Sequence, residues 1–219
     1  FLDLYEDTEL PPIPAEKKPL GRAYWHGSDE LLKNYRNPSD PRKDSAYADK
    51  VRKHYAACIS YTDKNVATIL RCLEKSDAAK NTLIILWSDH GWHLGEHNIW
   101  GKHSPYAVAL HSPLIVKLPN QLQPGKASNA VVESTDIFPT LCELLNLPIP
   151  SYLEGQSVAN ILKDPAAESD NKAVSYWRNL HSEITGNIHT ITDRNNGKIL
   201  QQYNLSKDPN ETFNIIEKK

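Results

Sequence analysis

The sequence lacks residue types and patterns that would assign it to a class directly. Methionine is absent from all 219 residues, and there are only three cysteines, Cys58, Cys72 and Cys142. Cys58 and Cys72 fall in one predicted helix, where a rise of about 1.5 Å per residue separates them by roughly 21 Å, too far for a disulfide. We therefore expect buried free thiols, and the three cysteines show no zinc-type pairing.

Charge and hydropathy exclude two further classes. The formal net charge is −2 and no basic run is present, so nothing indicates nucleic-acid binding. The longest apolar run, residues 83–87, is far too short to span a membrane. The first residues show neither the basic region nor the apolar segment of a targeting signal. This start and the missing methionine lead us to expect a fragment or a processed chain.

What is present is the composition of a folded protein, with 39% hydrophobic and 24% charged residues. Proline-rich residues 1–43 predict an extended arm with helical turns around residues 29–35. Apolar residues recur at helical spacing over residues 44–76, which predicts one long amphipathic helix. Residues 82–88 and 112–118 are short apolar runs without alternation, as expected for parallel strands buried on both faces.

The part after residue 134 predicts two more helices and an antiparallel sheet. The helices are expected at residues 135–146 and 155–163, and the strands at residues 173–178, 186–193 and 198–205. Asn196-Gly197 lies between the last two strands and is a strong hairpin signal. We therefore expect two units: an α/β core over residues 1–150 and a small α+β domain over residues 151–219.

A polar loop over residues 89–111 connects the two predicted core strands and holds five of the nine histidines. Long loops in compact domains are usually functional or disordered. Because ligands of open α/β sheets bind beyond the C-terminal ends of the strands, Asp89 and His90 are expected at such a site. A carboxylate and an imidazole followed by glycine can both face one cation. An Asp that caps a turn beside a surface His is the competing interpretation.

Lys102 follows Asp89 by thirteen residues in the same loop. An ammonium repels a nearby cation unless an anion lies between them, so cation and lysine together would clamp a sulfate or phosphate group. A solvated surface lysine is the alternative. The spacing of His90, His93 and His97 is also compatible with zinc, although an Asp-His pair with an anion-binding lysine fits a harder cation better.

Residues 81–102 resemble the C-terminal signature region of type I sulfatases, and most closely the iduronate-2-sulfatase branch, whose members also tend to carry Trp after Ser-Asp-His-Gly. Residues 54–63, 136–141 and 203–212 resemble further blocks of the family, so the similarity covers nearly the whole chain. The resemblance implies an α/β fold: the C-terminal part of an alkaline-phosphatase-like sandwich with a small α+β C-terminal domain containing an antiparallel sheet.

The resemblance also implies a calcium-dependent sulfuric ester hydrolase that acts on sulfated carbohydrate. Two Ca²⁺ ligands would be Asp89 and His90, and Lys102 would be the catalytic lysine that contacts the sulfate. The substrate pocket would also be lined by aromatic and imidazole side chains of the same loop: Trp92, His93, His97 and His103. Members of the family are mostly exported, to the periplasm or the extracellular space, or lysosomal.

Other parts of such an enzyme are absent from this sequence. The nucleophile of the family is a formylglycine hydrate made within a Cys/Ser-x-Pro-x-Arg motif, which this chain lacks, as it lacks the N-terminal metal ligands. We therefore expect the missing N-terminal portion to be a partner and the isolated chain to be inactive. Where the family usually has an acidic residue, this chain has Tyr106-Ala107. Two alternatives stay open: a phosphoric or phosphonic ester hydrolase of the same superfamily, and a non-catalytic chain that binds sulfated glycan or supports a partner.

Overall fold

The computed structural model describes residues 1–21, 28, 30–119, 121, 123–167 and 169–217. The helices in these ranges are α1 (Glu30–Asn34), α2 (Ser45–Glu74), α3 (Ala107–Leu110), α4 (Ile137–Leu144) and α5 (Ala159–Lys163). The strands are β1 (Ile84–Trp87), β2 (His93–Leu94), β3 (Trp100–Gly101), β4 (Leu114–Lys117), β5 (Lys172–Trp177), β6 (Leu180–Thr185), β7 (Ile188–Asp193) and β8 (Ile199–Asn204). None of the helices in these ranges is long and apolar enough to cross a membrane.

Helix α2 confirms the predicted long amphipathic helix. It begins after Asp44, whose side chain accepts a main-chain hydrogen bond at 3.0 Å, and this contact lowers the pKa of Asp44. Only Ala48 and Ala57 of the helix are buried. Ile59 is 55% exposed and Ile69 is 68% exposed. The apolar stripe predicted to face a layer of the core is therefore left largely uncovered by the part of the chain that the structure describes.

The exposure of α2 also determines how exposed two of the three cysteines are. Cys142 is buried, as expected, but Cys58 and Cys72 are exposed, so the prediction of three buried thiols is wrong. All three are free, which agrees with the expectation that Cys58 and Cys72 cannot pair. Both exposed cysteines lie on α2, where the apolar pattern predicted a covered face.

Strands β1 and β4 correct the expected parallel arrangement. They pair antiparallel, with Ile84 opposite Lys117 and Trp87 opposite Leu114. Trp87 is 50% exposed and Ile115 is 61% exposed, so the pair is not buried on both faces among the described residues. An apolar run predicts burial but not strand direction, and the long loop between the two strands permits either direction.

The four strands after residue 171 form one antiparallel sheet in the order β5-β6-β7-β8. The predicted hairpin between β7 and β8 is confirmed, and Gly197 adopts the left-handed φ of +70° that this turn favours. Strand β6 was not predicted. Its buried positions are Leu180, Ser182 and Ile184, and the inward serine weakens the apolar alternation that would have marked a strand.

The two remaining predicted helices are present but shorter. Helix α4 follows a 3₁₀ turn over Ser134–Asp136, which a reciprocal capping box closes between Glu133 and Asp136. The carboxylate of Asp136 also accepts from the Gln156 amide at 2.8 Å, and this contact ties the segment before α5 to the start of α4. The domain boundary near residue 150 stays a prediction.

The arm that precedes α1 runs along α2 and reaches the C-terminal segment. The Tyr5 hydroxyl lies 2.7 Å from the Ser60 hydroxyl on α2, and Leu20 pairs with Phe213 in a parallel bridge. The predicted helical turns around residues 29–35 coincide with α1, except for residue 29, which lies outside the described residues. The described part of the arm begins with a 3₁₀ turn over Leu2–Leu4, and its extended form as a whole stays a prediction.

The buried core joins the loop over residues 89–111 to the C-terminal sheet. Ile99 and Tyr106 of the loop pack against Leu180, Ile191 and Tyr203 of the sheet, and each of these side chains is at most 2% exposed. The loop that carries the candidate functional residues is therefore supported by strands that lie far from it in sequence.

Candidate active site

Asp89 and His90 follow strand β1 at the end where the sequence predicts a ligand site. The chain turns there because Gly91 packs directly on the backbone near α3. The Gly91 amide donates to the Ala109 carbonyl oxygen at 2.8 Å, and a Cβ atom at Gly91 would lie 2.0 Å from the Val108 carbonyl oxygen. Any side chain at this position would push the loop away, so glycine fixes where Asp89 and His90 point.

The side chains of Asp89, His90 and Lys102 converge. Asp89 Oδ2 lies 3.3 Å from His90 Nε2, and Lys102 Nζ lies 2.9 Å from the same nitrogen. His90 Nδ1 lies 2.8 Å from the Gly91 carbonyl oxygen, which can only accept, so Nδ1 carries the proton. An ammonium can only donate, so Nε2 is the acceptor. His90 therefore holds the tautomer in which Nε2 carries the lone pair, and in this structure that lone pair accepts from Lys102.

Helix α1 and the β2–β3 hairpin position Lys102. His93 of β2 pairs with Gly101 of β3, immediately before the lysine. Gly101 has φ +139°, and a Cβ atom there would lie 2.8 Å from Glu30 Cβ, so the hairpin approaches α1 closely only with glycine. Glu30 Oε2 accepts from the Lys102 backbone amide at 3.0 Å, and the Glu30 side chain is only 6% exposed. A buried carboxylate thus fixes the main chain from which the lysine extends.

A carboxylate oxygen and an imidazole lone pair on one point fit one side of a divalent cation site. Calcium takes about six to eight ligands, most of them oxygen atoms, so Asp89 and His90 alone would not complete the shell. Within the described ranges, no group of three or more His, Cys, Asp or Glu side chains could hold a metal ion. Lys102 places a positive charge beside Nε2, which favours an anion between lysine and cation. The assignment of Asp89 and His90 as calcium ligands stays a prediction.

His93 and His97 do not reach the surface of the site. Both side chains are 0% exposed. His93 Nε2 lies 2.7 Å from the Ser104 hydroxyl and its Nδ1 lies 3.2 Å from the Glu96 carbonyl oxygen, while His97 Nε2 donates to the Asn210 carbonyl oxygen at 2.9 Å. Burial, and secondarily the neighbouring His97, lowers the pKa of His93 to about 3. Both side chains are enclosed by protein atoms in this structure, and their contact with a substrate stays a prediction.

The same contacts remove support for a zinc site built from His90, His93 and His97. His93 Nδ1 donates to a carbonyl, so its Nε2 lone pair is used by the Ser104 hydroxyl. A zinc ligand needs a free imidazole lone pair. Of the three histidines, only His90 is shown with its Nε2 directed toward the Asp89 carboxylate.

Trp92 and His103 lie beside the cluster, as the sequence predicts for residues near the substrate. The Trp92 ring centroid is 6.4 Å from that of His90. His103 Nδ1 lies 3.1 Å from Glu30 Oε2, and its ring stacks on Trp177 with centroids 4.7 Å apart and planes inclined by 19°. The His103 side chain is 39% exposed. Their contact with a substrate stays a prediction.

A cavity of about 440 Å³ lies over this cluster, between the loop and strand β5. Its lining includes His90, Lys102 and His103 on one side and Ser175 and Trp177 on the other. Sequence reasoning missed Trp177 because an aromatic residue in a predicted strand is usually a packing residue. It missed Glu30 because this acid lies in the proline-rich arm, far from the loop it supports.

A buried acid also lies beside Ala107, at the position where the family usually has an acidic residue. Glu211 Oε2 accepts from the Ala107 amide at 2.8 Å, and Oε1 contacts His189 Nδ1. His189 Nε2 lies 2.7 Å from the Ser182 hydroxyl. Glu211, His189 and Ser182 are all at most 2% exposed. The C-terminal segment therefore supplies a carboxylate to the loop, which no local motif could have predicted.

Two family models match the chain. Residues 21–147 match the model described as Sulfatase, and residues 95–219 match the model described as N-sulphoglucosamine sulphohydrolase, C-terminal. The first covers more than half of the chain and includes Asp89, His90 and Lys102, and the second overlaps it over residues 95–147. The chain belongs to the sulfatase family.

Known relatives agree with this assignment. A sulfatase from Formosa agariphila is 34% identical over 166 residues, which cover 75% of this chain and 32% of the relative. Iduronate 2-sulfatase from Homo sapiens is 35% identical over 125 residues, which cover 46% of this chain and 23% of the relative. The solved structure of BT4656 in complex with its substrate D-glucosamine-2-N,6-O-disulfate matches with a TM-score of 0.71 and 26% identity, over 78% of this chain and 37% of that one.

The structural likeness confirms the predicted fold class, the C-terminal part of an alkaline-phosphatase-like α/β sandwich with an antiparallel sheet in its last part. The recognition of a type I sulfatase from residues 81–102 is likewise confirmed. The chain spans about a third or less of the length of the two curated relatives named above.

Proposed function

We propose that this chain is part of a sulfatase that hydrolyses sulfuric esters of carbohydrate, with a uronate 2-sulfate in a glycosaminoglycan as the substrate. The observation that carries the proposal is the convergence of Asp89, His90 and Lys102 within 3.3 Å in a chain of the sulfatase family. The substrate class is supported by the human relative, an iduronate 2-sulfatase, and by the matching structure that holds a sulfated glucosamine.

The residues of this chain would bind and neutralise the sulfate group. Asp89 and His90 would hold Ca²⁺, and the bound cation would polarise a sulfate oxygen. His90 is prepared for this role because Gly91 holds its Nδ1 proton and leaves Nε2 as the acceptor. The Lys102 ammonium would lie against another sulfate oxygen and neutralise the charge that develops in the transition state. Glu30 keeps the lysine main chain in place.

The rest of the active site would come from polypeptide outside this chain, the N-terminal portion of the enzyme. Large apolar side chains on the β1–β4 pair and on α2 are at least half exposed, including Trp87, Ile115 and Ile69. Such surfaces usually mark an interface with another layer or partner. The formylglycine nucleophile and the remaining calcium ligands would lie in that portion.

We also propose that the complete enzyme acts in an exported compartment, periplasmic or extracellular, or in the lysosome. This proposal is supported by the sulfatase family as a whole, since sulfated glycans are met outside the cytosol. Fractionation of cells that express the complete polypeptide from its natural start would test it, and a cytosolic enzyme would contradict it.

The proposal is tested by comparing the complete polypeptide, with its formylglycine formed, with the 219-residue chain. We expect the complete polypeptide to release sulfate from a uronate-2-sulfated disaccharide. The isolated chain should release none, because it has no activated nucleophile to attack the ester. Released sulfate is measured by ion chromatography.

Three results would contradict the proposal. Turnover of a phosphate monoester or a phosphonate ester without turnover of the sulfate would indicate the phosphoryl branch of the superfamily. Binding of the disaccharide by the complete polypeptide without hydrolysis would indicate a non-catalytic glycan-binding protein. Hydrolysis by the isolated chain, free of contaminating enzyme, would show that the nucleophile lies within it.

A further inference from the structure

We propose that Glu30 and His103 form a carboxylate–imidazole pair that protonates the leaving oxygen of the sulfate ester, an inference that rests on the proposed function. His103 Nδ1 lies 3.1 Å from Glu30 Oε2. The two side chains are exposed to very different degrees, 39% for His103 and 6% for Glu30. A buried carboxylate thus holds an imidazole whose ring is partly open to the cavity.

The hydrogen bond decides which nitrogen of His103 can react. The Glu30 carboxylate can only accept, so Nδ1 carries a proton and Nε2 is the nitrogen left to exchange a proton with a bound molecule. Histidines that act as general acids or bases are commonly oriented in this way by a carboxylate on Nδ1. His103 lines the same cavity as His90 and Lys102, the residues proposed to bind the sulfate group.

The surroundings of His103 keep its ring in one orientation. Its face stacks on Trp177 with centroids 4.7 Å apart, and the Arg178 guanidinium lies 5.2 Å from the Trp177 ring centroid. Among the described residues, the Glu30 carboxylate contacts His103 directly, and Lys102 is its neighbour in sequence. Glu30 Oε2 also accepts from the Lys102 amide at 3.0 Å. One buried carboxylate thus positions both the lysine proposed to neutralise the sulfate and the imidazole proposed to protonate the leaving group.

The step balances with the nucleophile already proposed. A hydroxyl group supplied by the polypeptide outside this chain gives its proton to a base of that polypeptide, and its oxygen attacks the sulfur atom and takes over the sulfate group. The bond between sulfur and the sugar oxygen breaks, and its electron pair stays on that oxygen. The imidazolium Nε2–H gives its proton to the oxygen, so that the sugar leaves as an alcohol. His103 becomes neutral, keeps its Nδ1 proton on Glu30, and recovers a proton from solvent.

The test uses the dependence on the leaving group in the complete enzyme. We expect His103→Ala to lower kcat/KM by about 10²-fold or more on a uronate-2-sulfated disaccharide, the range typical of a lost general acid. On 4-nitrophenyl sulfate the same variant should stay within a few-fold of wild type, because a nitrophenolate leaves without needing a proton. A purely structural role would lower both activities together.

Two further variants sharpen the result. Glu30→Gln keeps an acceptor for the Lys102 amide but removes the negative charge, so it should lower activity on the sugar ester in the same direction as His103→Ala, but less. His181 provides a matched control, since it stacks on Tyr176 of the same sheet with centroids 5.3 Å apart. His181→Ala should leave both activities unchanged.

The possible results separate this inference from the proposed function. Equal losses on both esters in His103→Ala, or full activity on the sugar ester, would overturn the inference while the sulfatase assignment stood. A complete wild-type enzyme that hydrolyses neither ester would overturn the proposed function, and the inference with it. A loss confined to the sugar ester supports both.

Discussion

Two regions of one loop use histidines in opposite ways. We call Asp89, His90, Lys102 and His103 the rim, and His93, His97, Ser104 and Tyr106 the base. The rim histidines have 31% and 39% of their side chains exposed, whereas those of the base are 0% exposed. Both regions lie within residues 89–111, between β1 and β4. The position of a histidine in a conspicuous motif therefore does not decide whether it can contact a ligand. The hydrogen-bond partners of its two ring nitrogens decide this.

The two regions also differ in whether their side chains carry charge. In the base, burial lowers the pKa of His93 to about 3, and burial together with Glu211 raises the pKa of Tyr106. These groups stay neutral and hydrogen-bonded inside the protein. In the rim, the carboxylate of Asp89 and the ammonium of Lys102 both lie beside one imidazole nitrogen. The rim therefore presents charge to a ligand, and the base holds the rim in place.

The largest effect is expected from breaking the support of the base. Glu211→Ala removes the partner of His189 and of the Ala107 amide, and breaking such a buried pair typically costs about 3–5 kcal/mol. Urea unfolding of wild type and variant measures the loss. The control Glu183→Ala removes a surface pair with Lys172 on the same sheet, which should cost about 0.2–1 kcal/mol. Equal stability of Glu211→Ala and wild type would refute the role assigned to the base.

The second prediction concerns how the free energy of unfolding changes at acidic pH, which distinguishes the base from the rim. Folded His93 stays neutral down to a pKa of about 3, while the unfolded imidazole takes up a proton below its ordinary pKa of 6.5. The unfolded state therefore binds more protons as the pH falls through this window, and the contribution of His93 to the free energy of unfolding is lost at about 1.4 kcal/mol per pH unit. Between pH 6.5 and pH 5 the loss is about 2 kcal/mol by this slope.

The variant His93→Gln checks the origin of that loss. Its free energy of unfolding should fall less between pH 6.5 and pH 5 than that of wild type, by about the 2 kcal/mol that the same linkage assigns to His93. The exposed His54, changed to Gln, serves as a control that leaves the buried imidazole in place. A wild type and a His93→Gln variant with parallel pH dependence would show that His93 is not held neutral in the base.

A further effect is expected on calcium binding at the rim. Asp89→Asn in the complete enzyme removes a negative charge but keeps the shape of the side chain, so calcium should bind less tightly. The loss should exceed the about 10–100-fold typical of residues that only support a ligand. Isothermal titration with Ca²⁺ measures it, with the exposed Asp63→Asn on α2 as a control. Unchanged calcium affinity in Asp89→Asn would remove Asp89 from the ligand set.

The sequence pattern correctly predicts those helices and turns whose formation depends on residues close to one another in the chain. Residues 44–76 predict α2 because their apolar side chains recur at helical spacing on one face. Asn196-Gly197 predicts the β7–β8 hairpin because its backbone suits that turn. The placement of Asp89 and His90 follows from the apolar run that ends before them. In each case the determining interactions lie within a few residues of one another.

Long-range contacts account for what the sequence could not predict. The relative direction of β1 and β4 depends on which layers cover them, and an apolar run in the sequence does not indicate those layers. The burial of His93 and His97 depends on the Asn210 segment and on the C-terminal sheet, which lie far away in sequence. Glu30 and Trp177 reach His103 from opposite ends of the chain. Sequence pattern identifies the loop, and tertiary packing sorts its residues into rim and base.

The most direct test of this division is Lys102→Ala in the complete enzyme, with kcat/KM and Tm measured on the same preparations. Because a single positioned charge-stabilising group is lost, kcat/KM on a uronate-2-sulfated disaccharide should fall about 10²–10³-fold, or about 2.7–4 kcal/mol. Lys102→Arg should also be impaired, since a planar guanidinium does not replace a compact ammonium. Tm should stay close to wild type, because Lys102 packs in no part of the core. Near-normal kcat/KM in Lys102→Ala would contradict the account.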